Sequence, residues 1–424
     1  MKLLDKRKSS LVSPRRNFAA LGALLAFFFL PGSAPAETLK LGGLLSLTGN
    51  WQTLGESSQI MMGFAQEDLN LYLKHHGSNK RIQLMIRDTQ LQPDIALKQY
   101  KALVTDGAVS VIGPQSSSEV AALVNEVSKR KVPIISQGST ASSLAFPNDH
   151  IYRMVPNDRH EAAALMALLK HRGVKTLIPA WRADTGNQGL HDSLQSQFTE
   201  SGGTMLAGVR YSTDDQQDFD PVVAELDRQL QSALLAKGAV TAETAIYLAG
   251  FDEVARLMDA AVGYPRLKQV KWYGSDGVAN SAALLNDPIA SQFAMDVGYP
   301  NPNLGLPSMA AEKWIPLSDR YYAKTGQRPD AFALAAYDAT FVAGLNASYR
   351  KQAPRNSRQD IFAETADITF GATGWNRLDA DGDRAYGDFD FWAIRLNAQG
   401  QREWTVVCHY DSLTGELGPQ PCEP

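Results

Sequence analysis

Short apolar runs alternate along this chain with segments whose apolar residues recur at helical spacing. Residues 39–45 read as a strand, 49–55 as a loop, and 57–73 as a helix with Ile60, Met61, Phe64, Ala65 and Leu69 on one face. The pattern then predicts strand 82–87, helix 94–105, strand 109–112, a helix through 120–127, and strands 132–135 and 151–155. The rhythm restarts with helix 161–169, strand 175–179, helix 190–198, strand 204–211, helix 222–230, strand 245–248, helix 253–261 and strand 270–273. Helices 313–324 and 331–349 follow, then a turn-rich strand pair, 379–383 and 389–396. Strands separated by helices mean βαβ units and parallel sheets. Two such series in tandem predict an α/β fold of two Rossmann-like lobes joined by a hinge.

The stretch 109–144 carries the strongest chemical signal. One apolar run stops at Gly113-Pro114 and is followed by Ser116, Ser117 and Ser118; the next stops at Ser136 and is followed by Ser139, Thr140, Ser142 and Ser143. Ligands of open α/β sheets bind at the carboxyl ends of strands. Hydroxyls beside the free N–H groups of a helix start suit an anion. A single such cluster reads as caps and loop residues; two on successive strands point to a carboxylate site.

The N-terminus sets the compartment. Lys2, Lys6, Arg7, Lys8, Arg15 and Arg16 precede a 13-residue apolar stretch, 18–30, and Ala34-Pro35-Ala36 is a small-x-small cleavage site. The stretch is too short to span a bilayer and suits a signal peptide, residues 1–36, with a mature chain starting at Glu37. Arg15-Arg16 resembles a twin-arginine signal, but Pro14 and Ala19-Ala20 depart from it, which leaves both export routes open. No Cys stands at the cleavage site to carry a lipid. The chain has 41 Lys+Arg and 45 Asp+Glu; six of the basic residues and one acidic residue lie in 1–36, so the mature part carries a net charge of −9. That balance argues against nucleic acid as a partner. Some 388 mature residues exceed one core and call for two domains. Cys408 and Cys422 are the two cysteines, and in an oxidising compartment they are expected to pair.

Enzyme signatures fail. Gly274-Ser275-Asp276-Gly277 is one residue short of a nucleophile elbow. His160-Glu161 lacks the second His of a zinc helix, since Ala164 stands there. Neither a dinucleotide fingerprint nor a phosphate loop with Lys-Ser or Lys-Thr occurs. Asp379-Ala380-Asp381-Gly382-Asp383 has its Gly at the wrong position for a calcium loop and reads as a tight turn. His75-His76 reads as a solvated helix end. No catalytic residue, metal or cofactor is expected.

In order along the chain stand Leu44-Leu45-Ser46-Leu47-Thr48-Gly49, Ile112-Gly113-Pro114-Gln115-Ser116-Ser117, Val132-Pro133-Ile134-Ile135-Ser136 with Ser139-Thr140, Tyr152-Arg153 before Pro156, Gly274-Ser275-Asp276-Gly277 and Ala336-Tyr337-Asp338-Ala339. On these motifs the chain resembles the type I periplasmic solute-binding proteins of the branched-chain amino acid (Leu/Ile/Val-binding) family, which feed ABC importers. The resemblance implies a periplasmic, monomeric, non-catalytic protein that binds an amino acid or analogue between its lobes and delivers it to a membrane ABC permease. It places Ser117 on the ligand carboxylate, with Gly138, Ser139 and Thr140 supplying N–H, C=O and hydroxyl groups. Asp276 falls where the family holds the ligand ammonium, and Phe251 where it places an aromatic wall.

The chain also departs from the family. Leu54 replaces the usual aromatic before Gly55, and Gly186-Asn187-Gln188-Gly189 lacks the expected aromatic of its turn. Both positions line the ligand side chain in relatives, so the α-amino-acid clamp is kept while the side-chain pocket is altered. Trp51 and Trp181 lie near the altered loops as candidate replacements. The first lobe is expected to take 37–155 and 298–369, the second 156–297 and 370–424. Rival readings are a ligand sensor or receptor of the same fold, and a secreted α/β enzyme using Asp276 as base.

Overall fold

The computed structural model describes residues 37–236, 241–349, 360–418 and Cys422. The expected signal peptide lies outside the described residues. The first series is β1 (Glu37–Leu45), α1 (Gln52–His75), β2 (Lys80–Asp88), α2 (Pro93–Thr105), β3 (Ala108–Ile112), α3 (Ser117–Arg130), β4 (Ile134–Ser136) and β5 (Ile151–Arg153). Its strands form one parallel sheet in the order β2-β1-β3-β4-β5. Buried on both faces, β1, β3 and β4 are apolar in near-continuous runs, whereas the edge strand β2 buries only Ile82. Leu41 and Leu45 of β1 join the core under α1, while Leu44 faces the cluster built with Tyr100, Leu103, Val120 and Leu123 of α2 and α3.

The second series is α4 (Asp158–His171), β6 (Thr176–Arg182), α5 (Thr185–Glu200), β7 (Thr204–Met205), β8 (Val209–Tyr211), α6 (Asp220–Ala236), β9 (Thr244–Ala249), α7 (Val254–Ala261), β10 (Lys271–Tyr273), α8 (Ala282–Asn286) and α9 (Pro288–Val297). Its parallel sheet runs β10-β9-β6-β7, with β8 also on β6. The single strand expected over 204–211 is thus split in two. The gap falls opposite Ile178 and Pro179 of β6; Pro179 has no N–H to give to the ladder.

The chain then forms β11 (Asn301–Leu304), α10 (Ala311–Thr325), α11 (Ala331–Tyr349), α12 (Asp360–Asp367), β12 (Phe370–Gly371), β13 (Gly374–Trp375), β14 (Phe389–Leu396), β15 (Arg402–Asp411) and β16 (Glu416–Gly418). Helix α11, apolar all round, lies between α1 and the first sheet, where Ala335, Ala339, Val342 and Ala343 are fully buried. An antiparallel sheet, β11-β14-β15-β16, packs on α4, α8 and α9. It closes with a disulfide between Cys408 and Cys422, whose Cα atoms are 4.5 Å apart. Among the described residues no helix is long and apolar enough to cross a membrane.

Two expectations are corrected. Residues 379–383 are not a strand paired with 389–396. The Asp379 carboxylate accepts from the N–H groups of Asp381 and Asp383, at 2.9 and 3.0 Å, and bends the segment into a turn. Strand β14 pairs instead with β11 and β15. Gly55 is not loop but part of α1, which passes so close to the end of β1 that a Cβ there would lie 1.8 Å from the Ser46 carbonyl oxygen.

Candidate functional site

The first-sheet wall is made by the ends of β3 and β4. Gly113-Pro114 is a cis peptide bond, and Ser116 then caps α3 in a reciprocal capping box with Glu119. Ser117 opens the helix. Its hydroxyl lies 3.0 Å from the Ser139 hydroxyl and accepts from the Ala141 N–H at 3.2 Å. Ser136 donates to the Pro114 carbonyl at 2.6 Å and accepts from the N–H of Ser139 at 3.0 Å and of Gly138 at 3.4 Å. The two hydroxyl clusters seen in the sequence are therefore one network, and all of Ser117, Gly138, Ser139 and Thr140 are buried.

The opposite wall is acidic. Asp276 follows β10 in a short turn, and Asp158 and Glu161 occupy the first turn of α4, where a helix N-terminus favours negative charge. The Asp276 N–H donates to Glu161 Oε1 at 3.3 Å, and the Ser142 N–H to Asp158 Oδ2 at 3.2 Å. Asp158 Oδ1 and Glu161 Oε2 are buried without a hydrogen-bond partner. Burial pushes the Asp276 carboxyl up to about 7. Burial, followed by the nearby carboxylates, holds Glu161 well above the usual range. Asp158 is raised in the same direction, mainly by burial and in part by Asp276, against the Thr140 hydroxyl that bonds it. The buried Arg153 guanidinium bonds Asp383 and the Ala141 carbonyl. Among the described residues no group of His, Cys, Asp and Glu is arranged to hold a metal ion.

Two rings close the space between the walls. The Trp51 indole stacks on Phe251 with centroids 4.3 Å apart and planes 17° off parallel, and meets Phe332 edge-on at 6.3 Å. Trp51, Ser116, Ser117, Gly138, Thr140, Asn187, Phe251 and Asp276 line one small cavity. Leu54 lines its neighbour together with Trp51 and Asp276. Ser139, Asp158 and Glu161 touch neither cavity; Ser139 bonds Ser117, and Glu161 bonds the Asp276 N–H from behind. Trp181 is not at the site; it stacks on His191 at 3.8 Å. Gly186 and Asn187, read from the sequence as part of a turn, form the first turn of α5, capped by Asp184. Beyond Ser116 and Phe251 the space opens into a cleft of about 1160 Å³ lined by Arg182, Asp184, Thr185 and Gln188. The sequence reading missed Asp158, Glu161 and Asn187; the one signal for the acids was their place just after a strand end.

The arrangement sets hydroxyls and N–H groups on one wall and the buried Asp276 carboxyl on the other, a pairing that complements a small zwitterion when Asp276 is ionised. The receptor family ligand binding region matches residues 59–397, and the chain belongs to that family. It is 26% identical over 402 residues to an uncharacterized protein of Methanocaldococcus jannaschii, across 90% of this chain and 91% of that one. Its fold is that of the branched-chain amino acid transporter substrate binding protein LivJ of Streptococcus pneumoniae, solved with isoleucine: TM-score 0.67, 20% identity, 87% of this chain and 99% of that one. A solute binding protein of an ABC transporter from Rhodopseudomonas palustris, solved with 3,4-dihydroxy benzoic acid, aligns with TM-score 0.68 and 16% identity over 88% of this chain and 98% of that one. The two-lobed α/β architecture with parallel sheets is therefore shared with type I periplasmic binding proteins.

Proposed function

We propose that this protein is an extracytoplasmic solute-binding protein of an ABC importer, and that it takes an amino acid or close analogue into the cleft. The observation that carries the reading is the meeting of Trp51, Ser117, Gly138, Thr140, Phe251 and Asp276, distant in sequence, around one cavity. Ser117, Thr140 and the Gly138 backbone would hold the carboxylate. Asp276 would hold the ammonium, because a carboxylate buried this deeply needs a cation or must keep a proton. The lobes, 37–155 with 298–369 and 156–297 with 370–424, would close by hinge motion and present a surface to a membrane permease. Export through residues 1–36 and action as a monomer belong to the same reading. The family's receptor character supports a second reading, in which the same closure signals rather than delivers. Mass spectrometry of small molecules released on denaturing the purified exported protein tests the proposal. An amino acid or amine-bearing analogue is expected; a sugar or a plain carboxylic acid refutes it.

A further inference from the structure

The Trp51 indole stands where a bulky ligand side chain would have to go. Its edge lies against Gly138, so close that a Cβ on Gly138 would be 3.4 Å from the ring. Its face covers Phe251 and its other edge meets Phe332, leaving it only 5% exposed. The space left among Ser117, Gly138, Thr140, Phe251 and Asp276 is about that of one water molecule.

The ring is held there by its backbone. Trp51 has φ 60° and ψ 26°, the left-handed region that side-chain-bearing residues rarely adopt. Neighbours fix that bend: Gln115 donates to the Trp51 carbonyl at 3.1 Å, and the Trp51 N–H donates to the Asn50 side chain at 3.0 Å. Asn50 in turn reaches across the cleft to Glu253 at 2.6 Å. Strained backbone over-determined by its surroundings is characteristic of ligand clamps. Leu54 stands where the family resemblance implies an aromatic, and the indole comes from three residues earlier.

We infer that Trp51 is the specificity-determining residue of this site, a gate that restricts the ligand to the smallest α-amino acids, those with hydrogen, methyl or hydroxymethyl side chains. Trp51 and Phe251 stand on opposite lobes, so a slight opening of the cleft loosens their stack and admits such a ligand beside the indole; a leucine or phenylalanine side chain needs the volume of the indole. The inference rests on the amino-acid reading above and narrows it.

Calorimetry with glycine, alanine, serine, leucine and phenylalanine on the wild type, Trp51→Ala and Trp51→Leu tests it, with circular dichroism checking the fold. The wild type is expected to bind at least one of the first three and to bind leucine and phenylalanine at least about hundredfold more weakly. Either variant is expected to gain at least about tenfold for leucine. Wild-type protein that binds leucine as tightly as alanine overturns the gate, as does an unchanged ranking in a folded variant, while leaving the amino-acid reading standing. A wild type that binds none of the series overturns the gate; the amino-acid reading falls with it only if the ligand released from the purified protein carries no amine.

Discussion

On the first-sheet wall of the cleft, Ser117, Ser136 and Ser139 bond one another and the local backbone, whereas on the second-sheet wall Asp276 backs onto Asp158 and Glu161, each of which buries one carboxyl oxygen without a hydrogen-bond partner. The hydroxyl wall is preorganised: its groups have partners before a ligand arrives, so it positions rather than drives. The carboxylate wall is the opposite. Burying like charges without counter-ions is costly, and the cost is relieved by a proton or by a bound cation. Affinity should therefore come mainly from the acidic wall, and stability mainly from the hydroxyl wall.

The largest expected effect is on the acidic side. Asp276→Asn should cost about 2–5 kcal/mol of affinity for an amino acid, the range for truncating one member of a buried charged pair. The same variant should melt no lower than wild type, because it removes a buried charge. Calorimetry and thermal melts on one sample separate the two readouts; equal affinity for wild type and variant breaks the contrast between the walls.

The acidic wall also sets a pH dependence. The folded Asp276 carboxyl is raised to about 7 by burial, above its ordinary 3.8. The folded state therefore holds a proton that the unfolded chain releases, and its contribution to stability is full below pH 4 and is lost as pH rises through about 7. A three-unit shift corresponds to at most about 4 kcal/mol, and Asp158 and Glu161 act in the same direction. Melting of ligand-free protein should fall across this window. Affinity for a cationic ligand should rise across it, because the ligand needs the ionised form. A flat profile in both would contradict the account of the acidic wall.

The disulfide serves as a control, since neither cysteine lines the cavities of the site. Cys408 and Cys422 close a loop of sequence separation 14, for which the chain-entropy model gives about 3 kcal/mol. Reduction should lower the melting point by that equivalent and leave affinity unchanged. A parallel loss of binding would show that the β14–β16 sheet acts on the cleft.

The smallest effects belong to the hydroxyls. Ser117→Ala and Thr140→Ala should each lose about 1.5–3 kcal/mol of affinity if they bond a carboxylate, and should lower stability as well by leaving Ser139, Ala141 or Asp158 short of a partner. Affinity unchanged in both variants removes the carboxylate from this wall.

The contrast explains which parts were legible from sequence. The hydroxyl wall is local chemistry: Ser and Thr directly after two apolar runs, the first in the turn from β3 to α3 and the second in the loop after β4. The parallel sheets were equally visible, since strands buried on both faces are continuous apolar runs. The acids Asp158 and Glu161 look like ordinary first-turn residues of α4, and only packing against Asp276, over a hundred residues away, makes them unusual. Strand β11 reads Asn-Pro-Asn-Leu, with no β-former to mark it, and is held by its register on β14. Strand β15 mixes polar and apolar residues around a register shift and buries only Cys408 and Tyr410, a weak signal at a surface. The place of Trp51 depends on a backbone bend that no spacing rule predicts.

The central claim is that the cleft binds a small zwitterion through both walls at once. Titrating the wild-type protein at pH 8 with alanine and with lactate, which replaces the ammonium by a hydroxyl and keeps the carboxylate, tests it most directly. The account predicts binding of alanine and at least about hundredfold weaker binding of lactate, a difference of roughly 3 kcal/mol. Equal affinity for the two would show that the acidic wall does not hold a cation.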